Sequence, residues 1–147
     1  MLKIDWEGLI VGFESRSHQI THFFDRETGD VEQVLERDRE RHAAMNRDPR
    51  YAALPRDEGE RSRGDLEDFL TRCEDPECRR SLEAALATPD FAARYRETLL
   101  RHPREEARFF HFKEVQALER AQRWLASLGV PFTKPQRVDE SGDRAVE

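Results

Sequence analysis

"HQITHFFDRETGDVEQVL", His18 to Leu35, decides whether this chain is purely helical or carries a sheet. β-Branched and aromatic residues stand on both sides of a polar turn, and Gly29 inside that turn can take the positive φ that a hairpin bulge needs. Strands are expected near Gln19 to Asp25 and Asp30 to Val34. Alternation at period two sets Ile20, His22 and Phe24 on one surface and Thr21 and Phe23 on the other. An isolated hairpin is marginal in water, so helices must cover at least one of these surfaces. His22 shares its face with two apolar residues, which suits a histidine with a satisfied hydrogen bond better than a catalytic base. Asp25, Glu27 and Asp30 cluster in the turn, where Asp25 is suited to bonding local backbone amides.

Helical signals surround the hairpin. Asp5 can cap a short helix whose apolar residues Trp6, Leu9, Ile10 and Phe13 fall at i, i+3, i+4 and i+7. After the hairpin, "ERDRERH" alternates in charge sign as a solvent-exposed helix does. The stretch that follows is broken by Pro49, Pro55, Gly59 and Gly64 and reads as an extended connection anchored by Tyr51 and Leu54. Asp65 with Asp68 resembles a capping pair opening a helix through Phe69 and Cys73. Asp75-Pro76 starts another helix and Thr88-Pro89 a third, the latter ended by His102-Pro103. A last helix is expected from about Arg104 to Leu128, stopped by Gly129 and Pro131. Together these give an α+β fold: a mainly helical single domain over residues 1–133, in which an N-terminal helix and a β-hairpin pack against C-terminal helices. Residues 134–147, with almost nothing to bury, are expected to be a flexible tail.

Composition narrows the function classes. The chain has 147 residues, a net charge of -6 and 37% hydrophobic content, enough for one modest core. It has no apolar run of spanning length, and "MLKIDWEGL" lacks the basic and apolar order of a signal peptide, so a cytoplasmic protein without a membrane segment is expected. Lys occurs only at Lys3, Lys113 and Lys134, leaving Arg as the main base. An acidic balance argues against a generic polyanion binder. Cys73 and Cys78 continue apolar series on their helices and read as core thiols. No metal site is expected, since His102 and His111 do not complete a zinc spacing. No cofactor motif is present: there is no Gly-rich phosphate loop, no His-Glu-x-x-His and no Gly-x-Ser-x-Gly.

The densest aromatic stretch is "EEARFFHFKEV", Glu105 to Val115. With about 100° per helical residue, Phe110, Leu118, Ala121, Leu125 and Leu128 gather on one stripe with Ala107 and Ala117, with Trp124 at its edge. That stripe reads as the core face. Phe109 and Phe112 fall on roughly the opposite side, and His111 lies beside the stripe. Two readings of that second flank stay open. The hairpin or the helix around Phe91 covers it, or it is an exposed aromatic pair beside Arg108 and Lys113 on which a partner rests. The second makes Phe109, Phe112, Arg108, Lys113 and His111 the candidate binding residues. No residues are assigned a catalytic role. The function expected is that of a non-catalytic regulatory or adaptor protein acting through a protein partner, and self-association could use the same patch. Behind it stand a nucleic-acid-binding protein and, third, an enzyme with an unrecognised His/acid site.

The segments "FFDRETGDV", "RYAALPRDEGERSRGDLEDFL", "ALATPDFAARYRETLLRHP" and "EARFFHFKEVQALERAQRWLASLGV" together resemble, in their order, an uncharacterised bacterial protein family numbered 0158 among the families of unknown function. Relatives tend to read "LDLETGEV" at the turn, so Arg26 stands at an apolar position of the pattern. The resemblance implies a small α+β cytoplasmic protein. It implies no reaction and no site residues.

Overall fold

Asp5 accepts the N–H of Gly8 at 2.9 Å and so starts α1, Trp6–Glu14, whose Leu9 and Phe13 are buried. The structure, a computed structural model, describes residues 2–56 and 60–135. The expected hairpin forms as β1, Ile20–Asp25, and β2, Val31–Leu35, paired antiparallel with Phe24 opposite Val31. Gly29 has φ 85°, and its carbonyl accepts the Asp5 N–H at 3.0 Å, which ties the turn to the start of α1. An added Cβ there would meet the Lys3 carbonyl oxygen, a backbone atom that cannot swing aside. Gly29→Ala combines that collision with a left-handed backbone. It is expected to cost at least about 2 kcal/mol, read from the shift in urea midpoint.

The hairpin is part of a larger sheet. β3, Tyr51–Ala53, pairs antiparallel with the free side of β1, giving strand order β2-β1-β3. The stretch expected to be an extended connection thus supplies a third strand, and β1 becomes central, which explains why five of its six residues are buried. Its two surfaces face different layers. On one, Phe24 joins Leu9, Phe13, Leu54, Ala121 and Leu125 in one apolar cluster. On the other, Phe23 packs with Val34 and with Met45 of α2, Arg39–Arg47. The charged helix "ERDRERH" therefore exists, and it buries a single methionine against the sheet.

The remaining elements among the described residues are helices: α3, Glu60–Leu70; α4, Pro76–Leu86; α5, Phe91–Leu100; and α6, Pro103–Ser127. The expected α+β, mainly helical class is what the molecule has. Its contacts gather into two compact units. Among described residues, the first holds 2–56 and 116–135, and the second 60–115. From residue 136 on, the expected tail lies outside the described residues.

In the first unit, α6 ends as its sequence suggests. Gly129 takes φ 74°, and the Val130 N–H bonds back to the Leu125 carbonyl at 3.0 Å while the Val130 side chain is buried. In the second unit, Phe69, Cys73, Cys78, Leu82, Tyr95, Leu99, Phe109 and Phe112 form one core. Asp75 caps α4 through the Glu77 and Cys78 amides at 2.9 and 3.3 Å, with Pro76 at the first helical position. Asp65 does not open a helix. It lies within α3, buried, with Lys113 Nζ 3.0 Å from its Oδ2. A helix interior accommodates Asp65 because an ammonium partner compensates the buried carboxylate.

The reading of α6 is corrected at its first half. The expected stripe is right for Ala117, Ala121 and Leu125, all fully buried, but Phe110 is 60% exposed and Ala107 is exposed as well. Phe109 and Phe112 are instead the interior residues, at 9% and 6% exposure. Their cover is α3 and α5, within the second unit. Phe109 meets Phe69 of α3 at 5.3 Å between centroids and Tyr95 of α5 at 5.7 Å, and Phe112 meets Phe69 at 5.8 Å. Each half of this 25-residue helix buries the flank its own unit needs.

Candidate functional site

The five residues expected to form a binding patch on α6 come close together in sequence but not on the surface. Phe109 and Phe112 are core, so they offer no docking face. Arg108 is engaged inside its unit: Nη2 donates to the Arg72 carbonyl at 2.6 Å, Nη1 pairs with Glu74 at 3.2 Å, and Nε lies 3.0 Å from Glu105 Oε1. Lys113 serves the buried Asp65. His111 is half-buried, and its Nδ1 is enclosed without a hydrogen-bond partner among the described residues.

Arginine abundance finds part of its explanation here. Guanidinium groups of Arg108 and Arg79 close the carbonyls of Arg72 and Cys73 just past α3, Arg63 donates to the Leu86 carbonyl at 3.1 Å, and Arg72 lies over the Phe112 ring at 5.1 Å. These are intramolecular ties at helix ends and on aromatic faces.

Beneath them sits a buried carboxylate. Glu105 Oε2 accepts the Glu74 amide at 2.7 Å, the Asp75 amide at 3.0 Å and the Cys73 thiol at 2.9 Å. Burial alone would raise this carboxyl, but the thiol, the two amides and Arg108 outweigh it and hold Glu105 below the usual range. Burial and the Glu105 hydrogen bond push the Cys73 thiol up to about 12, and burial raises Cys78 too. Both are free thiols in the core, and a thiol so hard to ionise is a poor nucleophile.

A second polar cluster, in the first unit, brings together residues far apart in sequence. Thr21 from β1, Glu36 just past β2, His42 from α2 and Arg56 after β3 converge on one another. The Thr21 hydroxyl donates to Glu36 Oε1, Arg56 Nη2 donates to the same oxygen and to Thr21 Oγ1 at 2.8 Å, and His42 Nε2 lies 3.0 Å from Thr21 Oγ1 and 3.4 Å from Glu36 Oε2. The Thr21 bond first, then the His42 and Arg56 charges, keep the Glu36 carboxyl below its ordinary value against some desolvation. With Thr21 giving its proton to Glu36, His42 must present Nε2–H toward Thr21, while Asn46 Nδ2 lies 3.4 Å from its Nδ1. In a nucleophile triad the acid orients the ring nitrogen facing away from the hydroxyl. Here the acid is on the same side as the hydroxyl, so His42 is a donor to Thr21 rather than its base.

No family model, curated protein or solved structure matches this chain. Among the described residues, no group of three or more His, Cys, Asp or Glu is arranged to hold a metal ion, and no helix is long and apolar enough to cross a membrane.

The histidine of the hairpin itself is His22. It is buried beside Gly12, and where its sequence context suggests a satisfied hydrogen bond its Nε2 is enclosed and unpartnered among the described residues. Burial, and then the Arg56 charge, lower its pKa from 6.5. The unfolded chain thus takes up this proton more readily than the folded one, and stability falls as pH drops below 6.5. His22→Gln is expected to flatten that part of the stability profile, measured by urea unfolding from neutral pH to mildly acid pH.

Sequence reasoning missed the convergence of Thr21, Glu36, His42 and Arg56. No local spacing joins positions 21, 36, 42 and 56, so nothing marks His42 out from the other histidines. The acid turn was legible: Asp25 accepts the Glu27 and Thr28 amides at 2.9 and 3.3 Å. Its bidentate partner Arg50, at 2.9 and 2.8 Å, was not.

Proposed function

We propose that this is a non-catalytic regulatory or adaptor protein of the cytoplasm that works by docking another protein, with the resemblance to the uncharacterised family as part of that reading. One observation carries it. Phe110 is 60% exposed on the outward side of α6, one turn after the exposed Ala107, although its neighbours Phe109 and Phe112 are interior. A large aromatic ring left in water is the kind of side chain that protein contacts use as an anchor, and Phe110 is available for one. The geometry at Thr21, where His42 is a donor and not a base, supports the same reading over catalysis. Nucleic-acid binding loses its main support, because Arg108 and Lys113 are committed to Glu74, Glu105 and Asp65.

Phe110→Ser tests this. The variant is expected to keep its circular dichroism and unfolding midpoint while losing a partner that the wild type captures from its native host, or losing self-association in sedimentation velocity. Leu100→Ser, which removes another exposed side chain of the same unit, is the control. Equal capture and equal sedimentation by wild type and Phe110→Ser contradict the reading.

A further inference from the structure

Thr21 and Arg56 direct hydrogen-bond donors at a single carboxylate, His42 Nε2 lies 3.4 Å from its second oxygen while donating to Thr21, and each of the three is held in place by something other than that carboxylate. Thr21 is fixed in the central strand. The His42 ring stands edge-on to Phe23 at 5.6 Å between centroids, with Asn46 beside its Nδ1. Arg56 Nη1 donates to the Ser17 carbonyl at 3.2 Å, and Nη2 reaches the Ile20 carbonyl at 3.4 Å. The acceptor they share is Glu36, just past β2, with 36% of its side chain in solvent, as Arg56 has, and its backbone is anchored separately through its N–H to the Gln19 carbonyl at 2.8 Å. Rotation about its side-chain bonds would remove the carboxylate without moving the strand. A guanidinium, an imidazole N–H and a hydroxyl would then face an empty position suited to an oxyanion.

We propose that this cradle is a binding site for a small tetrahedral oxyanion of the phosphate-monoester class, closed in the free protein by Glu36 acting as an internal stand-in for the ligand. A dianion offers more acceptor oxygens and more charge than the tethered carboxylate, so it can displace Glu36 where a monoanion such as acetate cannot. Ligand entry and side-chain release are coupled because both anions need the same donors. This inference is independent of the docking surface at Phe110.

The test is titration of the full chain with inorganic phosphate, with methyl phosphate and with acetate, followed by calorimetry and by the ring signals of His42. Wild type is expected to bind phosphate and methyl phosphate weakly, with His42 shifting, and to ignore acetate. Glu36→Ala is expected to bind at least about tenfold more tightly, and Arg56→Gln to abolish binding in either background. Glu36→Gln, nearly isosteric, repeats the test should the alanine variant fold poorly. Wild type that does not respond to phosphate overturns the proposal. So does a Glu36 variant with unchanged affinity, or binding that survives Arg56→Gln.

Discussion

Phe109→Ala is expected to destabilise the protein by about 3–5 kcal/mol, while Phe110→Ser shifts stability by no more than about 0.5 kcal/mol. The two positions are adjacent and chemically identical, so the contrast comes entirely from which side of α6 each occupies. The Phe109 ring touches both Phe69 and Tyr95, and Tyr95 in turn donates its hydroxyl to the Leu66 carbonyl at 2.8 Å. Deleting the ring leaves a void among α3, α5 and α6, and a buried tyrosine bond loses its packing support. Phe110 has one tilted contact, with the Phe109 ring at 6.0 Å, and little else to lose. Urea unfolding followed by far-ultraviolet circular dichroism measures both. A larger loss at Phe110 than at Phe109 would mean that the buried stripe of α6 lies where apolar periodicity puts it.

Asp25→Asn is expected to lower stability at neutral pH by about 2 kcal/mol and to flatten its acid limb. Asp25 is buried and takes both guanidinium nitrogens of Arg50 as well as two backbone amides. The Arg50 bond, stronger than the desolvation that opposes it, brings the Asp25 carboxyl from 3.8 down to about 2. Because the folded value is the lower one, the unfolded chain binds this proton first. The stabilisation is complete above 3.8 and is lost as pH falls toward about 2. The asparagine keeps an oxygen for the Glu27 and Thr28 amides but gives up the charge, so it separates the ion pair from the turn. Urea midpoints of the two proteins should therefore converge as pH falls from 5 to 2, about the interval in which a free aspartate protonates and this one follows. Parallel curves would show that Arg50 adds nothing.

What the sequence revealed was local. Asp5 before Trp6, Gly29 in the turn, Asp75 before Pro76 and Gly129 after α6 each carry their signal within a few residues, and each element begins or ends where that signal stands. What it hid was long-range. β3 is three residues between two prolines, too short to show alternation, and it is a strand only because the free edge of β1 accepts it. Asp65 resembles a cap because its partner Lys113 is 48 residues away. A helical wheel for α6 assumes one interior along the whole helix. Within the second unit Phe109 and Phe112 are the buried residues of α6, and within the first Ala117, Ala121 and Leu125 are, so a wheel drawn over the whole helix misassigns Phe110. The Thr21 cluster draws one residue each from β1, the end of β2, α2 and the end of β3, so no local motif marks it.

Thiol reactivity along α6 tests most directly which rings are interior. Cys73 and Cys78 are buried and should stay silent in the native protein, giving a clean background. Single variants Phe109→Cys, Phe110→Cys and Phe112→Cys, each checked for native circular dichroism, are then treated with a disulfide reagent. Position 110 should react as fast as an unstructured peptide thiol, and positions 109 and 112 only after denaturant is added. Fast labelling at 109 and 112, with 110 protected, would contradict this placement of the rings.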